Sequence, residues 1–156
     1  MLAITRNVSL SNLDVAGTAQ ALLSAHGTVE LAYLTAEFEP FSSSQRPDVL
    51  FLPATGPNAG RWFVVELRVD PSARGRLPSV MALIEHRRFL QEDMSGAYLF
   101  FAVATHLSNL NDEDRAQLAV AGVEVLMTID SGRALADAIL AWASSARIPP
   151  WAAEEH

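Results

Sequence analysis

The chain contains neither cysteine nor lysine, and these two absences exclude several kinds of chemistry. Without cysteine, the protein has no disulfide framework, no thiolate zinc site and no cysteine nucleophile. All 11 of its strongly basic residues are arginine, which keeps its positive charge, whereas a buried lysine loses its proton readily. Among the basic residues, therefore, only histidine can readily lose its proton and act as a base.

Long apolar runs and targeting signals are also missing from the sequence. A helix that spans a bilayer needs about 20 apolar residues, but the longest candidate, AYLFFAVA at 97–104, has the length of a buried strand. The first residues, MLAITRNVSLSNLD, do not show the basic and then apolar regions of a signal peptide. We therefore expect a soluble protein in the cytoplasm.

Positive charge is scarce in this sequence. The 156-residue chain carries a formal net charge of −7 and has a pI near 4.9. Tight non-specific binding to nucleic acid depends on counterion release by basic surface, so this balance argues against a general nucleic-acid binder but allows a local basic patch. Hydrophobic residues make up 50% of the chain, and no linker or repeat divides it, so we expect one domain over residues 1–156.

The spacing of hydrophobic residues predicts an α/β domain. From Asp14 onward, apolar residues recur at steps of three and four, which is typical of one face of a helix. Gly27-Thr28 interrupts this pattern, so the helix either ends near His26 before a strand or, as we prefer, continues to about Leu34. The rest of the pattern predicts strands at 36–41, 49–52 and 62–65, a helix that follows Ser79 and runs to about 93, and a strand at 97–104. It then predicts a helix capped by Asn111 or Asp112 and running to about 120, a strand at 123–129 and a helix at 135–143.

The connections between these elements predict how the strands pair. Turn-forming residues at 53–60 join two apolar strands and predict a β-hairpin. The later strands are joined through helices, which predicts parallel pairing and a mixed sheet flanked by helices. Asp48 opens the first strand of the hairpin and Glu66 closes the second. These two acids are therefore expected to lie close together at one end of the sheet.

The pairing of Asp48 with Glu66 suggests a metal site. Two neighbouring carboxylates repel each other, so a site that keeps both ionised generally contains a cation. Oxygen ligands suit Mg²⁺ or Mn²⁺, which retain several waters and bind phosphate oxygens. Such a metal supplies a hydroxide nucleophile and neutralises charge on a phosphodiester. The alternative is that Asp48 and Glu66 are simply polar residues that terminate two strands.

The same residues resemble a known family. Arg46-Pro47-Asp48, an apolar strand, a turn and then Val64-Val65-Glu66-Leu67-Arg68 resemble the PD-(D/E)XK phosphodiesterase superfamily, whose members show Pro-Asp, a hairpin and then acid-x-Lys. The resemblance covers the predicted αβββαβ order over roughly the first two-thirds of the chain. It implies a restriction-endonuclease-like core, followed here by an added helix, strand and helix, and endonuclease-like cleavage of DNA in repair or defence.

The resemblance assigns roles to individual residues. By this resemblance, Asp48 and Glu66 are catalytic residues that bind Mg²⁺ or Mn²⁺. The backbone carbonyl of Leu67 is a third ligand, and Glu30 matches an additional acid that many members carry on the first helix. Arg68 departs from the family pattern, which has lysine there; it could still steady a pentavalent phosphate as a catalytic residue, but it does not readily act as a base. The alternative is a catalytically degenerate nuclease-fold module that binds nucleic acid or a protein partner.

The predicted helix at 79–93 supplies candidates for contact with nucleic acid. In the superfamily a helix at this position often lines the active-site cleft, so Arg87 and Gln91 are expected to meet phosphate, with Arg46 on the rim and His86 as a further candidate. The same helix carries charges at steps of three and four that also fit a solvent-exposed ladder of ion pairs: Glu85, Arg88 and Glu92. Because basic surface is scarce, we also expect a protein partner or a homodimer.

Overall fold

The computed structural model describes residues 11–32, 41, 46–69, 79–94 and 96–153. Within these ranges the chain forms a five-stranded mixed sheet flanked by helices, which confirms the predicted α/β class. In chain order the elements are α1 (Asn12–Leu23), β1 (Gly27–Leu31), β2 (Val49–Pro53), β3 (Trp62–Arg68), α2 (Val80–Glu92), β4 (Leu99–Thr105), α3 (Asp112–Val120), β5 (Val123–Leu126), α4 (Gly132–Ser145) and α5 (Pro150–Ala153).

Polar side chains cap the beginnings of the longer helices. Ser11, Ser79, Asn111 and Ser131 precede α1, α2, α3 and α4, and each side-chain oxygen accepts a hydrogen bond from an amide of the first turn. Gly122, with a φ of 84°, follows the end of α3 in the left-handed conformation that glycine adopts readily. In the part of the chain that the structure describes, no helix combines the length and apolar character needed to cross a membrane.

The strands lie in the order β1-β2-β3-β4-β5 across the sheet. β1 with β2 and β2 with β3 pair antiparallel, whereas β3 with β4 and β4 with β5 pair parallel. The predicted hairpin and the predicted parallel pairing of the later strands are both confirmed. Parallel neighbours need a connection that returns over the sheet, and α2 and α3 make these connections.

The first helix is shorter than expected, and the preferred continuous helix to about residue 34 is wrong. α1 ends at Leu23, and Gly27–Leu31 forms an edge strand of the sheet instead. A β-carbon at Gly27 would collide with the Leu52 carbonyl of β2, so glycine permits the close approach of the two strands. The strand expected at 36–41 lies outside the described residues, apart from Phe41.

Apolar layers cover both faces of the sheet. α1 and α4 pack together over one face, against strand residues that include Phe63 and Val65. α2 and α3 cover the other face, against strand residues that include Leu50 and Val64. Successive strand residues alternate between the two faces, so the register of the strands decides which side chains lie beneath α2.

Asn58 fastens the loop between β2 and β3 to the end of α4. Its buried side-chain amide donates hydrogen bonds to the carbonyls of Ala143 at 2.7 Å and Ala146 at 2.9 Å. Because Asn58→Ala leaves both carbonyls without this donor, we expect the free energy of unfolding to fall by about 1–3 kcal/mol in urea denaturation. Asn109→Ala, at an exposed loop position, is the matched control and should change it by less than about 0.5 kcal/mol. Equal losses in the two variants would contradict this prediction.

Candidate metal and active site

The beginning of β2 and the end of β3 bring Asp48 and Glu66 together. Val49 pairs with Val65 in the antiparallel register, so the next residues, Asp48 and Glu66, lie opposite each other. The Asp48 amide donates to the Val65 carbonyl at 3.2 Å, which extends the pairing beyond β2. The two carboxyl groups are close enough for Asp48 to raise the pKa of Glu66 through its charge and a hydrogen bond, in addition to the larger effect of burial. The hairpin therefore places the two acids side by side, as its sequence pattern predicts.

Both acids lie on the face of the sheet that α2 covers. Leu50 and Val64 belong to the apolar layer beneath α2. Asp48 precedes Leu50 by two residues on one chain segment, and Glu66 follows Val64 by two on the next, so all four share a face. This placement leaves Glu66 only 8% exposed, between the sheet and the helix.

Asp48 also holds the backbone of the neighbouring strand. Its Oδ2 accepts a hydrogen bond from the Leu67 amide at 2.7 Å. A buried or half-buried carboxylate with a short bond from a backbone amide has little freedom to rotate. The Leu67 amide therefore orients the Asp48 carboxylate. The Leu67 carbonyl belongs to the same residue near the end of β3, so it is positioned by the strand.

Arg68 bridges the Glu66 carboxyl group and the Leu67 carbonyl. Its Nη2 lies 2.8 Å from Glu66 Oε2, and its Nη1 donates to the Leu67 carbonyl, also at 2.8 Å. The planar guanidinium presents its donors as a fork, which allows one side chain to bond to both oxygens at once. The side chain of Arg68 is 33% exposed and that of Glu66 is 10% exposed, so the arginine reaches into the site from its solvent side.

The environment of Glu66 favours its protonated form. Burial, the neighbouring charge of Asp48 and the hydrogen bond to Asp48 raise the pKa of Glu66 from 4.5 to about 8, although Arg68 opposes this rise. At neutral pH a proton is therefore held on Glu66 beside the Asp48 carboxylate.

Two further residues contact the site: His86, which the sequence offers as an additional candidate for the cleft, and Asn12, which it does not single out. His86 Nδ1 on α2 lies 3.8 Å from Glu66 Oε2. His86 lies three residues after Leu83 and four before Leu90, both buried residues of α2. This helical spacing, which is visible in the sequence, indicates that His86 faces the sheet. Asn12 Nδ2 donates to the Leu67 carbonyl at 3.4 Å, across 55 residues of sequence, and no local pattern indicates that contact.

Glu30 lies on β1 and not on the first helix, so its predicted place is wrong. It pairs with Leu50, two residues along from Asp48, and therefore shares the face of the sheet beneath α2. Diagonal neighbours of this kind have β-carbons about 7–8 Å apart, within reach of a long side chain. The role of Glu30 as a metal ligand stays a prediction.

Two of the three residues expected to contact nucleic acid bond to the backbone of the protein itself. Arg87 is buried, and its Nη2 donates to the Leu99 carbonyl at 3.0 Å. Gln91 accepts from the Leu99 amide at 2.8 Å. Leu99 pairs with Trp62, so both residues bind at the end of β4 remote from the acids, whereas Arg46 lies near the beginning of β2. Contact with nucleic acid stays a prediction for all three.

The oxygen donors at the end of the hairpin fit a hard divalent cation. Two carboxyl groups and the Leu67 carbonyl converge there, and Mg²⁺ typically takes a few such ligands and completes its shell with waters. A positive group, the guanidinium of Arg68, already bonds to two of these donors. Across the described ranges, no group of three or more His, Cys, Asp or Glu side chains is arranged to hold a metal ion. A metal at this site would therefore need the backbone carbonyl of Leu67 in addition to the two acids.

No protein-family model, curated protein or solved structure matches this chain. Kinship therefore supplies no substrate, cofactor or activity for it. The chemistry of the site has to be inferred from the geometry of Asp48, Glu66, Leu67 and Arg68, and the resemblance to the PD-(D/E)XK superfamily stays a prediction.

Proposed function

We propose that this protein is a divalent-cation-dependent phosphodiesterase that cleaves DNA, with Mg²⁺ or Mn²⁺ held by the carboxyl groups of Asp48 and Glu66 and the carbonyl of Leu67. The observation that carries this proposal is the convergence of these oxygen donors at the paired ends of β2 and β3. Carboxylate and carbonyl oxygens are the ligands that suit a hard divalent ion, and Mg²⁺ bound in this way also binds substrate phosphates.

The residues around the donors have distinct tasks in such a reaction. When bound, the metal would supply a nucleophilic hydroxide and stabilise charge on the phosphodiester. Asp48 is held in place by the Leu67 amide, so this ligand is preorganised. Glu66 has to release its proton before it can bind a metal with full negative charge. Arg68 remains charged throughout, and its forked donors suit a phosphate group.

The order of elements supports a restriction-endonuclease-like core as part of this proposal. The succession α1, β1, β2, β3, α2, β4 is the αβββαβ order that the resemblance implies. In this arrangement α3, β5 and α4 are additions: β5 extends the sheet by one parallel strand, and α3 and α4 pack on its opposite faces. The acids lie at the end of the antiparallel hairpin that is remote from its turn.

DNA is the proposed substrate despite the acidic composition. The chain carries a net charge of −7, so most of its surface repels a polyanion, and affinity has to come from local arginines such as Arg46 and Arg68 or from a second subunit or partner. A measurement of molecular mass in solution tests the homodimer.

Cleavage of DNA with and without Mn²⁺ tests the proposed function directly. We expect the wild type to cut single-stranded, nicked or branched DNA only when the metal is present. Asp48→Asn keeps an acceptor for the Leu67 amide but removes the negative charge, so we expect its rate to fall by about 100-fold or more. Arg88→Gln, which changes an exposed arginine paired with Glu85, is the control and should cleave at the wild-type rate. Equal rates for the wild type and Asp48→Asn would contradict the proposal.

A second candidate is a catalytically degenerate nuclease fold that binds nucleic acid or a protein partner. The observation that favours it is the bond of Arg68 to two donors of the proposed metal site. A permanent arginine there would satisfy the acids without any metal. Calorimetry separates the two candidates: if neither the wild type nor any Arg68 variant binds Mn²⁺, and Asp48→Asn only lowers stability, the degenerate fold is the correct description.

A further inference from the structure

The Arg68 guanidinium lies where a metal ion would need to bond. Its Nη2 is 2.8 Å from Glu66 Oε2 and its Nη1 is 2.8 Å from the Leu67 carbonyl oxygen. A Mg²⁺ ion that used these same two oxygens would approach them to about 2.0–2.1 Å, from the side that the guanidinium faces. The guanidinium and the metal therefore cannot occupy these two oxygens together, because both their volume and their like charges oppose it.

The site is built so that Arg68 is the group free to leave. Glu66 is 8% exposed and lies on the strand itself, Asp48 is fixed by the Leu67 amide, and the Leu67 carbonyl belongs to the backbone of β3. Arg68, in contrast, has a long flexible side chain that is 33% exposed and borders solvent. Rotation of this one side chain would remove the shorter hydrogen bond from the Leu67 carbonyl and the guanidinium from Glu66, without any change in the sheet. The Leu67 carbonyl would keep its longer bond from Asn12 Nδ2 at 3.4 Å, and its second lone pair would be left for a metal.

We propose that Arg68 is an internal competitor of the divalent ion: its guanidinium closes the metal-free site by bridging Glu66 and Leu67, and the metal binds only when this side chain swings out to solvent. This inference rests on the proposed metal site and makes Arg68 a positioning residue that determines metal affinity. After it swings out, the fork of Arg68 stays at the rim of the site, where it is placed to pair with a phosphate of the substrate.

Because Arg68 bonds to both Glu66 and the Leu67 carbonyl, its role as a competitor can be distinguished from a simple effect of its positive charge. A lysine at position 68 would keep the positive charge but present a single ammonium group on a flexible stem, without the planar fork that spans both oxygens. If the bridge closes the site, Arg68→Lys should bind metal more tightly than the wild type although the net charge is unchanged. If only the charge matters, Arg68→Lys should resemble the wild type.

Mn²⁺ titrations of the metal-free full chain test this inference, by calorimetry and by the electron paramagnetic resonance signal of free Mn²⁺. We expect Arg68→Gln to bind Mn²⁺ about 10- to 100-fold more tightly than the wild type, the size of effect common for groups that contact metal ligands. Arg68→Lys should fall between the two. Arg88→Gln removes an exposed arginine from α2 and should leave the affinity unchanged. Adding Asp48→Asn to Arg68→Gln should abolish binding.

The possible outcomes separate this inference from the proposed function. If the wild type and both Arg68 variants bind Mn²⁺ with equal affinity, and Asp48→Asn removes that binding, the competitor role is overturned while the metal site stands. If Arg68→Lys binds like the wild type, the bridging geometry is not what limits the affinity, and the inference also fails. If no variant binds Mn²⁺, both the inference and the proposed function are overturned. Circular dichroism confirms that each variant is folded.

Discussion

The free energy of unfolding is expected to fall by several kcal/mol as the pH rises from about 4.5 to about 8, because Glu66 holds its proton in the folded state and loses it in the unfolded chain. In the fold the pKa of Glu66 is raised to about 8 from 4.5. The folded state therefore binds more protons than the unfolded state within this window, and stability is lost as the pH increases. The difference between the two pKa values corresponds to a loss of at most about 5 kcal/mol in the free energy of unfolding.

The charged groups that face Glu66 act in opposite directions on this equilibrium. Asp48 at the beginning of β2 favours the protonated carboxyl, whereas Arg68 on β3 favours the ionised form. His86 on α2 lies 3.8 Å away and contributes a positive charge only when it is protonated. β4 presents an apolar neighbour, Val103, which pairs with Glu66. Burial is the largest cause of the raised pKa of Glu66 and Asp48 adds to it, so the protonated form prevails at neutral pH.

Substitution of Glu66 by glutamine isolates this contribution. Glutamine has the shape of the protonated acid and cannot ionise, so Glu66→Gln should be more stable than the wild type above about pH 8 and should show a flatter dependence on pH. Urea denaturation at about pH 5, 7 and 9 measures this. Glu85→Gln, at an exposed site on α2, is the matched control and should follow the wild-type curve. Parallel curves for the wild type and Glu66→Gln would show that Glu66 titrates normally in the fold.

Truncation of Phe63 to alanine is expected to cost about 3–5 kcal/mol of the free energy of unfolding. Phe63 is fully buried in β3, in the layer that α1 and α4 cover. Its ring stacks on that of Phe100 at a centroid distance of 4.4 Å and meets the edge of Trp142 of α4 at 4.9 Å. Its removal therefore leaves a cavity between the sheet and α4 and ends two aromatic contacts.

The comparison with Phe89 makes this prediction specific to burial. Phe89 lies on α2, is 40% exposed and contacts the guanidinium of Arg88 at 5.8 Å. Phe89→Ala removes the same number of atoms from a surface position, so it should change stability by about 0.5 kcal/mol or less. Urea denaturation of both variants at one pH gives the difference. Similar losses in the two variants would contradict the prediction, because burial would then not determine the cost of the truncation.

Much of the fold could be predicted because its signals are local. The apolar runs of β2, β3 and β4, the turn residues between β2 and β3, and the Ser79 and Asn111 caps each lie within a few residues of the element that they define. The hairpin also predicts the meeting of Asp48 with Glu66, because antiparallel pairing determines which ends lie side by side. These features follow from short-range chemistry.

The first helix shows where local signals fail. Val29 extends the helical steps of three and four that begin in α1, but Val29 and Leu31 also alternate as strand residues do. What decides between the two patterns is the pairing of Gly27–Leu31 with β2, including the close approach that Gly27 permits. Because the partner strand begins 18 residues after Leu31, the sequence around the helix does not contain this information.

The sequence alone therefore determined the α/β class, the hairpin and the acid pair, because each depends on periodicity or on neighbours along the chain. The tertiary structure decided how that pair behaves. Burial beneath α2 raises the pKa of Glu66, and the strand end directs Arg68 onto Glu66 and the Leu67 carbonyl. The contact of Asn12 with Leu67 likewise joins residues far apart in the chain. Dielectric environment and the direction of a side chain depend on packing between distant segments, which no local pattern records.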